Sequence, residues 1–184
     1  MIKTFDTHMS IDIETMDVDP SSNAAVIAIG AVIFNVREIF SEFEVLIHPS
    51  WAPGSRGHDT RLWWAAQEEE IRNRMFSGRV MPDDACRRFT AFCTFDTKFF
   101  WANPTRFDFT HMRSMYQACE QEFPFKFFQE RDLSTLRWAA RQYPNLKSEL
   151  SKIRNSNRAA HDALSDARAQ AKAIQAVMMY CGLS

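Results

Sequence analysis

The chain has 184 residues, 46% of them apolar and 24% charged, with a formal net charge of −1. That composition describes one globular domain with a single core and excludes a fibrous, low-complexity or disordered chain. The longest apolar run, Ala24 to Phe34, is too short to span a bilayer and reads as a buried strand.

Met1 to Asp6 lacks the basic start and apolar stretch of a secretory signal, so a cytoplasmic setting is expected. Cys86, Cys93, Cys119 and Cys181 form no Cys-x-x-Cys pair, and reduced thiols in or near the core are expected. The near-zero net charge hides an asymmetry. Between Arg131 and Arg158 stand seven basic residues (Arg131, Arg137, Arg141, Lys147, Lys152, Arg154, Arg158) against Asp132 and Glu149. Such a stretch suits phosphates, and a solvated helix face has the same pattern.

In chain order, Met9 to Glu14 alternates as a strand: Met9, Ile11 and Ile13 share one face, and Ser10, Asp12 and Glu14 the other. A turn-rich loop, Asp17 to Asn23, leads to strands over Ala25–Phe34 and Phe40–Ile47, which with the first suggest an antiparallel meander. Helices are expected over Thr60–Met75 and Asp83–Phe95, a strand over Lys98–Ala102, a break at Asn103-Pro104 and a helix over Phe107–Glu120. Phe125–Phe128 reads as a fifth strand and Ser134–Gln142 as a short helix. Lys147–Arg158 reads as a mobile loop leading to His161, a gate over a bound strand. The last helix is the clearest, with Leu164, Ala167, Ala171, Ile174, Met178 and Cys181 on one stripe and Gly182 as its stop. The fold class is α/β with a mixed sheet flanked by helices.

Three segments carry chemistry. Asp12 and Glu14 point the same way from one strand; near a sheet centre their repulsion is costly without a cation, and on an exposed strand it is harmless. Asp108 opens a helix after an apolar strand and a proline turn, a place an acid also takes to favour the helix dipole. Asp166 flanks the apolar stripe of the last helix between the small residues Ala163 and Ala169, which let that helix approach a sheet closely. His161, five residues earlier, lies about 140° away if helical, so it belongs to the preceding loop or first turn, where a capping role is equally ordinary.

In this order, Asp12-x-Glu14-Thr15, Asn103-x-x-x-Phe107-Asp108 and His161-x-Ala163-x-x-Asp166 resemble the DEDDh, or DnaQ-like, 3′→5′ exonucleases of the ribonuclease H-like fold. Leu62-Trp63-Trp64-Ala65-Ala66-Gln67 and Arg131-Asp132-Leu133-Ser134-Thr135-Leu136 look like segments of small phage exodeoxyribonucleases, of the exonuclease VIII nuclease core and of a compact bacterial exoribonuclease. The resemblance runs from about Ser10 to the C-terminus. It implies a five-stranded sheet, three antiparallel strands then parallel ones. It also implies two Mg2+ or Mn2+ ions held by Asp12, Glu14, Asp108 and Asp166, with Asp12 shared and His161 as general base releasing nucleoside 5′-monophosphates. Single-stranded DNA is the expected substrate, with RNA the alternative, and small members of the branch are often homodimers. Met16, Trp63, Trp64, Arg106 and Phe107 are candidate substrate contacts; adjacent tryptophans on a helix cannot both face the core squarely. A non-catalytic scaffold of the same fold and a phosphohydrolase of mononucleotide esters stand as the other readings.

Overall fold

In the computed structural model, residues 5–19, 23–93, 96–157 and 161–183 are described. Expectations touching Met1 to Thr4, the middle of the 17–23 loop, Phe95, Arg158 and Ala160 therefore lie outside the described residues. Strands β1 (Thr7–Thr15), β2 (Val26–Phe34), β3 (Ile39–Leu46), β4 (Thr97–Ala102) and β5 (Glu130–Asp132) form one sheet in the order β3-β2-β1-β4-β5. β1 pairs antiparallel with β2 and β2 with β3, whereas β4 runs parallel to β1 and β5 parallel to β4. This is the mixed sheet expected, meander first and parallel strands after.

β2 is buried along its whole length, which explains its unbroken apolar run: both faces of the sheet are covered there. On one face Met9, Ile11 and Ile13 of β1 join Ile27, Ile29 and Ala31 of β2. They pack with Cys86 and Phe89 of α3 (Pro82–Phe92) and Phe109 and Met112 of α4 (Thr105–Ala118). On the other, Val32 and Phe34 meet Ala167, Ala171, Ile174 and Met178 of α7 (Ala163–Tyr180). The even-numbered side chains of β1 (Ser10, Asp12 and Glu14) share that second face through the Asp12–Gly30 pairing. α7 approaches closely because Gly30 has no side chain: a Cβ there would lie 2.2 Å from the Ala163 carbonyl carbon.

Three expectations are corrected. The helix expected over 60–75 is two, α1 (His58–Ala65) and α2 (Glu69–Met75). Nothing in Ala65-Ala66-Gln67 breaks a helix. At the break, the Arg72 guanidinium donates to the Ala65 and Gln67 carbonyls at 3.2 Å each, satisfying acceptors left open at the end of α1. The strand expected at Phe125–Phe128 is displaced to β5. Phe125 stacks flat on Phe100, ring centroids 3.9 Å apart, while Phe127 and Phe128 lie exposed in a 3-10 turn.

The third correction concerns the expected mobile loop. Pro144–Ser156 is a helix, α6, with Pro144 in its first turn. Leu146, Leu150 and Ile153 fall at helical spacing and pack beside Ala140 of α5 (Leu133–Ala140) and Ala176 and Val177 of α7. Over residues 147–156 the expected loop is therefore helix. All four cysteines are free; Cys86 is buried, Cys93 and Cys119 are half-buried, and Cys181 is exposed. Among the described residues, no helix is long and apolar enough to cross a membrane.

Candidate active site

β1 brings Asp12 and Glu14 to the face that α7 covers, and the first turn of α7 brings Asp166 to the same point. Asp12, Glu14 and Asp166 each offer one carboxylate oxygen, and these oxygens lie within 4.8 Å of one another. Glu14 is buried, and Asp12 and Asp166 are half-buried. Asp108, buried in the first turn of α4, stands beside this trio, its Oδ1 accepting the Ile13 backbone N–H at 3.2 Å.

Carboxylates gathered in this way disfavour their own ionisation. Burial, followed by Asp108, Glu14 and Asp166, holds Asp12 well above the usual carboxylate range, and the hydrogen bond from Gln170 opposes the rise. Glu14 is raised to about 8 by burial and then by Asp166, Asp108 and Asp162. Asp108 is raised to about 7, chiefly by burial, against the backbone N–H groups that hold its anion. Burial raises Asp166 too, opposed by hydrogen bonds from the His161 backbone N–H to Oδ2 (2.8 Å) and from Asn157 Nδ2 to Oδ1 (2.5 Å).

The acids are fixed by their surroundings. Gln170, one turn after Asp166 on α7 and 4% exposed, donates through Nε2 to Asp12 Oδ1 at 2.6 Å. Its Oε1 lies 3.4 Å from the Ser10 hydroxyl. The start of α7 is anchored in turn. Asp162 caps it by accepting the Ser165 N–H at 3.0 Å, and Arg74 Nε donates to Asp162 while its other nitrogen grips Glu44 of β3. His161 precedes this cap with φ 67°, a left-handed conformation uncommon for a side-chain-bearing residue. Its ring is exposed and meets Trp63 edge-on, centroids 4.6 Å apart.

Two cavities meet at the acids. One, of about 390 Å3, is lined by all four carboxylates together with His161, Asn103, Phe107, Asn157, Gln170, Arg137 and Arg154. The other, of about 410 Å3, is mostly apolar and runs from Glu14 and His161 along Thr60, Trp63, Trp64, Val18 and Phe107. Of the expected substrate contacts, Trp63 (39% exposed) and Phe107 line these spaces. Trp64 is packed in the core, with Nε1 donating to the Thr15 carbonyl at 2.9 Å, and shows only part of itself to the apolar cavity. Met16 is buried and borders a separate depression with Arg61 and Phe76, and Arg106 is exposed on α4 and lines neither cavity. Gln170 went unmarked in the sequence. Its signal is a polar residue four places after Asp166 in a helix otherwise rich in alanine.

Residues 7–178 match the model of the 3′-5′ exoribonuclease Rv2179c-like domain. No curated protein sequence matches significantly. Among solved structures, the zinc-bound form of Escherichia coli exonuclease I in complex with single-stranded DNA superposes with a TM-score of 0.70 at 16% identity, covering 96% of this chain and 41% of that one. The cell-death related nuclease CRN-4 gives 0.67 at 17% identity, covering 97% and 65%. The chain thus spans about two fifths of the length of exonuclease I, and at such identity the likeness establishes the shared ribonuclease H-like architecture. With the match extending over nearly all of its length, the chain belongs to the 3′-5′ exoribonuclease Rv2179c-like domain family.

Proposed function

We propose that the protein is a divalent-metal-dependent 3′→5′ exonuclease that removes nucleoside 5′-monophosphates from single-stranded nucleic acid. The observation that carries this reading is the trio Asp12, Glu14 and Asp166, whose carboxylate oxygens converge within 4.8 Å in a half-buried recess. The donor set fits hard cations: oxygen ligands only, on rigid elements, with protonation near neutrality as the alternative to a counter-charge. Asp12, Glu14 and Asp166 would hold one ion, and Asp12 with Asp108 a second. When bound, divalent cations supply the positive charge that offsets the acids and the phosphodiester and makes the attacking water more acidic.

The chain's own groups do the rest. Gln170 holds Asp12 in place, and the Ile13 N–H holds Asp108. His161 lines both cavities, which suits a base that takes the proton of the attacking water at the boundary between terminal nucleotide and acids. The apolar cavity offers Trp63 and Phe107 to the terminal base, a contact worth about 1–3 kcal/mol per stacked ring.

RNA is supported as substrate by the family description, and DNA by the single-stranded DNA that exonuclease I holds. The test follows a 5′-labelled single strand of each sugar with Mg2+ or Mn2+. A ladder of one-nucleotide steps is expected, abolished by EDTA and by Asp12→Ala or Asp166→Ala. A ladder that survives those substitutions sinks the assignment.

A further inference from the structure

Beside the carboxylate cavity, and apart from the apolar one, lies a basic cavity of about 400 Å3 between α5 and α6. Arg137 and Arg141 reach it from the end of α5, and Lys147 and Arg154 from α6, with Leu150 and Ser151 between them. The spacing explains the convergence: Arg141, at the end of α5, follows Arg137 by four positions, and Lys147, Ser151 and Arg154 recur at helical intervals on α6. Among the described residues, no carboxylate lines this cavity and none of the four cations enters an ion pair. Arg74, Arg87, Arg88, Arg113 and Arg168 elsewhere all do.

Four cations around one cleft with no carboxylate on its own lining repel one another, and a polyanion relieves that cost. At Arg137, burial first and then the neighbouring Arg154 and Arg141 hold the guanidinium below its usual range, with Asp166 opposing. The lining also selects among anions. Among the described residues, no aromatic ring borders the cleft, so a base finds none to stack on, whereas phosphate oxygens meet three forked guanidinium groups and an ammonium.

Position supplies the direction. Arg137 and Arg154 line the carboxylate cavity as well as the basic one, so the two spaces share a wall. The apolar cavity shares Glu14, Phe107 and His161 with the acids and touches neither arginine. The acids therefore stand between an apolar space fitted to a terminal base and a basic space fitted to phosphates. We propose that the cleft between α5 and α6 binds the internucleotide phosphates of the substrate strand on the 5′ side of the bond that is cut. This rests on the exonuclease reading, and it makes α6 part of a fixed track for the strand.

The test uses the full chain in Mg2+ and a fluorescent single strand whose 3′-terminal linkage is a cleavage-resistant phosphorothioate. Anisotropy gives affinity for lengths from a dinucleotide to about ten nucleotides, a usual span for such tracks, over a range of KCl. Wild-type affinity is expected to rise with length. Arg141→Gln with Lys147→Gln should weaken the longest strand about tenfold, as expected for lost charge-assisted contacts, and affect the dinucleotide less. The slope of log affinity against log salt should fall by about 0.7 for each charge removed. Arg88→Gln, on α3 against the opposite face of the sheet, should change affinity less than about twofold. If the double variant melts early, Arg141→Gln alone, at an exposed helix end, carries the test.

Unchanged affinity of the long strand overturns the proposal. Equal weakening at every length, or occupation by inorganic phosphate as tight as by the strand, overturns it in favour of a small free anion. Hydrolysis of an ordinary strand is measured separately. Absence of cleavage with length- and charge-dependent binding intact defeats the exonuclease reading and leaves the cleft standing as a strand-binding site.

Discussion

Gln170 shows how a single neutral side chain can govern a charged site. Its amide is buried between Ser10 and Asp12, and its donor nitrogen lies 2.6 Å from a carboxylate that burial and three neighbouring acids push up. A hydrogen bond to a charged group contributes about 1.5–3 kcal/mol. Gln170→Leu removes it while keeping the volume, so Asp12 should take up a proton more readily and bind divalent ions less tightly. The expected outcome is roughly a tenfold rise in the Mg2+ concentration needed for half-maximal cleavage, reversed in part by raising the pH. An unchanged metal requirement would deny Gln170 a positioning role. Trp63 acts on His161 through an edge-on ring contact at 4.6 Å. Trp63→Leu should therefore lower kcat as well as raise KM, since it frees the imidazole and removes a stacking surface together. A change confined to KM, with kcat intact, would leave Trp63 a base-stacking surface only.

Among elements, the seating of α7 on the sheet decides whether the acids meet at all. Gly30 faces Asp12 across the β1–β2 ladder, and a Cβ there would overlap the Ala163 backbone. Gly30→Ala must push the start of α7 away, carrying Asp166 with it. Destabilisation of about 1–3 kcal/mol, seen as a lower urea midpoint with unchanged slope, should accompany loss of cleavage. Retained activity at wild-type stability would mean that the helix has room to spare.

The same elements explain what a reader of the sequence could and could not see. β1, α4 and α7 are legible because each carries its own period, and β2 and β3 because each is a run rich in Val, Ile and Phe. Asp12, Glu14, Asp108 and Asp166 stand out by motif order, whereas Gln170 does not, because its partner is 158 residues away. α6 looks like a loop in the sequence because its polar residues outnumber Leu146, Leu150 and Ile153, whose face matters only once α5 and α7 supply the opposing surface. At the break between α1 and α2 one guanidinium reaches back to two carbonyls, a contact that no local pattern announces. Leu146, 1% exposed, tests the α6 packing directly: Leu146→Ala should cost about 2–4 kcal/mol and, on the proposed track, weaken long strands more than short ones.

At the scale of the molecule, a net charge of −1 conceals an acid cluster and an unpaired basic cleft that share a wall. The acid half ties folding to pH and to metal in a way that can be signed. Glu14 and Asp108 have folded-state values of about 8 and about 7, above the ordinary 4.5 and 3.8 of the unfolded chain. Between those limits the folded state binds more protons than the unfolded one, so stability falls as pH rises. The loss begins as pH passes the unfolded values and is complete above about 8. Metal-free protein should thus melt several degrees lower at pH 8 than at pH 5, since each kcal/mol corresponds to roughly 2–4 °C in a chain of this size. Glu14→Gln should remove part of that fall and raise the melting temperature of the metal-free protein at pH 8 while abolishing cleavage. Divalent ions should raise the wild-type melting temperature more at pH 8 than at pH 5, because only the ionised cluster binds them. A melting temperature independent of pH in EDTA, or equal Mg2+ stabilisation at both pH values, would show that the carboxylates are not held close enough in solution to act as one charged site.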